Sequence, residues 1–160
     1  MKRYCTRIAV KPTVFTEDTV YQTWVNTDTK TARLLRMHLQ LDSADAGGTG
    51  NSVYGFQRIK GTPSASGADV LIPVKYDTNT EPSMMLCYRK QAGLGMTGVT
   101  REEYFLERSC VSKTTGSASN IEFDHEEGFL LLPGEGLAIF ADNTVIDGSG
   151  VYGMLEWGEE

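Results

Sequence analysis

Leu35-Arg36-Met37-His38-Leu39-Gln40-Leu41-Asp42 alternates apolar and polar side chains without a break, the period of a strand with one buried face. Residues 43–52, with Asp45, Gly47, Gly48, Thr49 and Gly50, have a polar, Gly-rich composition that does not sustain a ladder and predicts a loop. Further strands are predicted at Tyr4–Val10, Thr19–Val25, Val53–Ile59, Ala68–Tyr76, Met84–Arg89, Tyr104–Val111, Asn120–Phe123, Gly128–Leu132, Gly136–Ala141 and Val151–Trp157. That makes about nine to eleven short strands, separated by Gly, Pro, Asn and Asp rather than by helices. Thr100–Phe105 fits either a helical turn, with Thr100 as cap and Glu103 completing a capping box, or a polar lead into a strand.

Strands of this length and number predict an all-β fold, an antiparallel β-sandwich of jelly-roll type with little or no helix. The loops at 43–52 and 90–100 are longer than two-residue hairpins, which suits strands that cross between sheets. The Gly/Ser/Thr-rich stretches at 43–52, 61–67 and 112–119 are loop-sized and do not divide the chain. Residues 1–160 therefore read as a single β-sandwich domain, with a basic N-terminal segment 1–16 available as an arm. A length of 160 residues with 40% hydrophobic and 22% charged side chains suffices for a core without metals or staples.

Charge narrows the partners. The formal net charge is -6, which argues against a phosphate-backbone binder, and no run of roughly 18 apolar residues predicts a membrane helix. Met1–Val10 lacks the apolar centre of a secretory signal, so synthesis and folding in the cytosol are expected. The charge is polarised along the chain. Residues 1–16 hold Lys2, Arg3, Arg7 and Lys11 and no acid, whereas 121–160 hold ten acids and no Lys or Arg. A basic first segment could therefore lie on the acidic end, within one subunit or between neighbours.

No arrangement selects catalysis. Cys5, Cys87 and Cys110 show no CxxC spacing and read as buried free thiols, and His38 and His125 are the only histidines. Around His125, alternate residues of an extended segment face opposite sides, so Asp124 and Glu126 point away from it. Gly93-Leu94-Gly95-Met96-Thr97-Gly98 spells a GxGxxG string but lacks the following helix that a dinucleotide fingerprint requires. Gly61–Gly67 does not form a serine-hydrolase elbow, and neither Asp42–Gly50 nor Asp142–Gly150 has the ligand order of an EF-hand. No cofactor or metal is expected. Trp24, Tyr54, Phe56 and Trp157 could stack on sugars if exposed in a row, but at 9% aromatics most should be core.

Leu130-Leu131-Leu132-Pro133-Gly134-Glu135-Gly136-Leu137-Ala138-Ile139-Phe140 reads as strand, tight turn, strand, since Pro133 presets φ and Gly134 accepts positive φ; a β-hairpin is predicted. Followed by a last strand carrying Leu155, Glu156 and Trp157, this string resembles the C-terminal end of small jelly-roll head decoration (cement) proteins of tailed bacteriophages. The resemblance implies a virion structural protein on the head surface, a homotrimer bound to the major capsid protein. Such a protein needs a rigid sandwich and contact residues, and no active site. Its lattice contact is expected on the basic segment, at Lys2, Arg3, Arg7 and Lys11. The alternative is a receptor- or carbohydrate-binding module of a fibre or tail, using exposed aromatics and the polar loops.

Overall fold

Eleven strands form among the described residues, and no helix. In chain order they are β1 (Lys2–Val10), β2 (Val20–Asn26), β3 (Ala32–Asp42), β4 (Asn51–Lys60), β5 (Asp69–Leu71), β6 (Val74–Lys75), β7 (Met85–Arg89), β8 (Thr100–Val111), β9 (Ala118–Leu131), β10 (Glu135–Ala141) and β11 (Gly150–Glu159). The computed structural model describes residues 1–12, 16–42, 51–76, 78, 80–111, 118–141 and 150–160, and of these 41–42, 51–53, 103–111 and 118–128 by their backbone. The loop expected at 43–52 lies outside the described residues up to 50; residues 51 and 52 already belong to β4.

All pairings are antiparallel. The strands make two sheets, ordered β6-β1-β11-β3-β9 and β5-β7-β2-β10-β4-β8. With the β5–β7 insertion set aside, the first strand pairs the last (β1 with β11), the second the second-last (β2 with β10), and so on through β3 with β9 to β4 with β8. That nesting is the jelly roll, a folded-over antiparallel ribbon divided between two sheets. The all-β sandwich read from the sequence is the observed architecture.

Between the sheets lies a core that includes Tyr4, Trp24, Leu34, Met37, Phe56, Leu137, Leu155 and Trp157. Both of its indole N–H groups are paired inside it. Trp24 Nε1 donates to Thr6 Oγ1 at 2.6 Å, Trp157 Nε1 donates to Glu159 Oε1 at 2.9 Å, and the Tyr4 and Trp157 rings stack at 6.2 Å. A smaller core covers the other face of the second sheet. Because strand residues alternate, Ala138 and Phe140 point away from Leu137 and Ile139, and they pack with Val20, Val25 and Ile59 beneath Leu94, Met96 and Val99 of the 90–99 segment. That segment is bridged to 61–68 through Ser64 and Gly95, so the chain roofs this face with its own loops.

Of its two readings Thr100–Phe105 takes the strand, because pairing of β8 with β4 satisfies its backbone. Three local expectations are corrected. Ala68–Tyr76 divides at Ile72-Pro73 into β5, paired with β7, and β6, paired with β1, so it joins the edges of both sheets; Pro73 has no N–H to continue either ladder. The Leu132–Glu135 turn has the predicted chemistry, with Glu135 N donating to Leu132 O at 2.9 Å and Gly134 at φ +79°. It is not a hairpin, however. β9 pairs β3 and β10 pairs β2 and β4, so the turn is a corner between sheets. The two strands expected over 120–132 are one, β9, whose residues 125–128 stand opposite Leu35 alone.

Candidate docking surface

The basic segment expected as an arm is built into the sheet over Lys2–Val10, where β1 matches β11 from Lys2 opposite Glu159 to Val10 opposite Val151. This register lays the basic end of the chain along the acidic end within one subunit. Lys2 forms an ion pair with Glu81, which raises the lysine pKa and lowers that of the carboxyl, and Arg3 stands 3.8 Å from Glu156. Lys2 also lines a polar hollow of about 290 Å³ with Asp28, Lys30, Glu81 and Glu159. The four basic residues named from sequence are thus not one patch. Arg7 and Lys11 are exposed, and among the described residues neither side chain forms an ion pair.

The edge of β1 is finished by two different devices. Near its start β6 pairs Tyr4 with Lys75 and Cys5 with Val74, and Tyr76 N donates to Arg3 O. Beyond that, two glutamine side chains take the place of a strand. Gln22 Nε2 donates to Arg7 O at 2.9 Å while its Oε1 accepts from Ala9 N at 3.3 Å; Gln91 Nε2 donates to Ala9 O at 3.1 Å while its Oε1 accepts from Lys11 N at 2.7 Å. Each primary amide offers a donor and an acceptor at the spacing of a peptide unit, so the ladder groups are satisfied and this stretch of edge is closed to strand addition.

Beside this edge lies an apolar strip. Val70, Ile72, Val74 and Tyr76 are 62%, 84%, 63% and 52% exposed, and they follow one another at alternate positions along the segment that joins the two sheets. Leu71, between them, packs on the inter-sheet core instead. Next to the strip is a hollow of about 410 Å³, bounded by Cys5, Arg7, Leu71, Ile72, Val74 and Met154. Beside it Tyr76 Oη approaches Met154 Sδ at 3.6 Å, and partial burial pushes the Cys5 thiol and the Tyr76 phenol above their ordinary pKa values. An exposed row of large apolar groups around a hollow is suited to binding. The thiol in its lining, Cys5, is not an activated nucleophile, since burial raises its pKa.

Sequence reasoning missed this strip because alternation identifies the apolar face of a strand but not whether that face turns inward. Other expected sites resolve as follows. Trp24, Tyr54, Phe56 and Trp157 are buried, so none of them is an exposed stacking platform. Cys87 is a buried thiol as expected, whereas Cys5 is only half-buried, a correction to its reading as a core thiol; the side chains of Cys110 and of the residues around His125 lie outside what the structure describes. Among the described residues no three His, Cys, Asp or Glu side chains gather as a metal site. Comparison with family models, with curated proteins and with solved structures returned no match to this chain.

Proposed function

We propose that this chain is a virion structural protein, a decoration or cement protein that binds the assembled head of a tailed phage through the major capsid protein and works as a homotrimer. The observation that carries the proposal is the row Val70, Ile72, Val74 and Tyr76, exposed on the open edge of a jelly roll. The resemblance of Leu130–Phe140 and Leu155–Trp157 to the decoration proteins points the same way. Burying a side chain such as Ile72 against a partner contributes about 1.5–3 kcal/mol, so the strip supplies an apolar centre of the kind that stable interfaces have. Arg7 and Lys11 are the basic residues left to meet the lattice, because Lys2 and Arg3 are engaged within the chain.

The mechanism is linkage. A protein that binds the assembled shell and not its dissociated subunits lowers the free energy of the shell by mass action, and a trimer touching several capsid subunits gains effective concentration at each contact. Light scattering on the purified chain, then co-sedimentation with phage heads, tests it. A trimer that saturates the heads and raises their disruption temperature, with Ile72→Asp losing both effects, is the expected result. A monomer that leaves the heads unchanged overturns the reading.

A further inference from the structure

We infer that the hollow beside Ile72 receives an apolar side chain that a partner protein presents next to a carboxylate, with Arg7 taking the carboxylate. The inference rests on the proposed reading of this edge as the docking surface, but not on the partner being a capsid protein. Among the described residues that line the hollow, Arg7 is the only charged one. Its guanidinium is exposed and, among the described residues, has no carboxylate within ion-pair distance. Among the described acids, Asp69 pairs with Arg89 at 2.9 Å and Glu156 with Arg3 at 3.8 Å. Of the polar groups in and beside the hollow, the Thr6 hydroxyl accepts from Trp24 and the Tyr76 hydroxyl faces Met154. What remains is an apolar recess with one weakly hydrated planar cation at its rim, a combination that discriminates by charge sign as well as by hydrophobicity.

Charge also separates the partner from a second copy docked edge to edge. A two-fold contact through this strip would bring two copies of Arg7 into one interface, where like charges repel as water is excluded. A surface that is acidic around an apolar side chain meets no such penalty.

The probes are 4-phenylbutyrate and the matched cation 4-phenylbutylamine, titrated into the full chain and followed by NMR at the Ile72, Val74 and Met154 methyls and the Arg7 side chain. Saturable shifts at these groups with the carboxylate, at about tenfold higher affinity than with the amine, are expected. Arg7→Gln should erase the preference and Arg7→Glu invert it, and because Arg7 is exposed both variants should keep the wild-type amide spectrum. Equal shifts with both probes, or none, overturn the inference. Head binding separates it from the decoration reading. If wild-type chain binds heads and Arg7→Glu binds them equally well, this inference fails and decoration stands; if wild type ignores heads while the hollow still selects the carboxylate, decoration fails and this inference stands. Self-association that Ile72→Asp abolishes would identify a second copy as the occupant and overturn it.

Discussion

Asn26 and Leu131 lie 105 positions apart in the chain and are joined by one hydrogen bond, Asn26 Nδ2 donating to the Leu131 carbonyl at 3.0 Å. The same nitrogen donates to Lys30 O at 2.8 Å, Asn26 Oδ1 accepts from Asp28 N at 3.1 Å, and the Asn26 carbonyl accepts from Gly134 N at 2.8 Å. One buried amide therefore ties together two of the places where the chain crosses between sheets, from β2 to β3 and from β9 to β10. Asn26→Leu keeps a side chain of four heavy atoms branched at Cγ and removes the three side-chain bonds. A loss of about 2–3 kcal/mol is expected, read as a fall of about 5–10 °C in the thermal midpoint.

The glutamine caps on β1 should differ in cost according to burial. Gln22 is fully buried, so Gln22→Leu leaves the Arg7 carbonyl and the Ala9 N–H without partners and should cost about 2 kcal/mol in guanidinium unfolding. Gln91 is exposed, water can replace its bonds, and Gln91→Ala should cost about 1 kcal/mol or less. Both variants should aggregate faster than wild type on mild heating, measured by light scattering, because each reopens part of a strand edge.

Gly134 and Gly136, two residues apart, separate the two reasons a glycine is required. At Gly134, φ is +79° and an added Cβ would meet nothing within 4 Å, so Gly134→Ala should cost about 1 kcal/mol of backbone strain alone. At Gly136 a Cβ would stand 2.5 Å from the Trp24 carbonyl oxygen, a backbone atom that cannot move without breaking the β2–β10 ladder. Gly136→Ala should cost about 3 kcal/mol. Equal unfolding midpoints for the two variants would contradict this assignment.

Burial in the inter-sheet core holds the Cys87 thiol well above its ordinary pKa of 9.0. Below that value folded and unfolded chains both keep the proton, and the thiol adds no pH dependence. Above it the unfolded chain releases a proton that the native chain retains, so stability falls as pH rises, by up to about 1.4 kcal/mol per pH unit for this one group. Wild type should therefore lose more stability than Cys87→Ala between pH 9 and pH 10.5 in urea unfolding. In the native state at pH 8, Cys87 should resist a thiol reagent that modifies the half-buried Cys5, as peptide mapping would show.

The sequence by itself determined what is local. Alternation from Leu35 to Asp42 marked β3, and Pro133-Gly134 marked a turn of the right type at the right place, because strand period and turn dihedrals depend on residues a few positions apart. Tertiary structure alone decided who neighbours whom. The turn at Gly134 became a corner because β9 found β3 and β10 found β2 and β4, partners far along the chain that no turn residue specifies. The same separation explains the site. Ile72 and Val74 alternate as a buried face would, yet they lie outward because Leu71, which precedes them on the opposite side of the segment, packs on the inter-sheet core, and Arg7 borders them only because β6 docks on β1. Lys2 and Arg3, free cations by composition, are neutralised by Glu81 and Glu156, which only the antiparallel return of β11 and the insertion before β7 bring within reach. Periodicity records which side chains share a face; which face is covered depends on contacts that close only when distant strands meet.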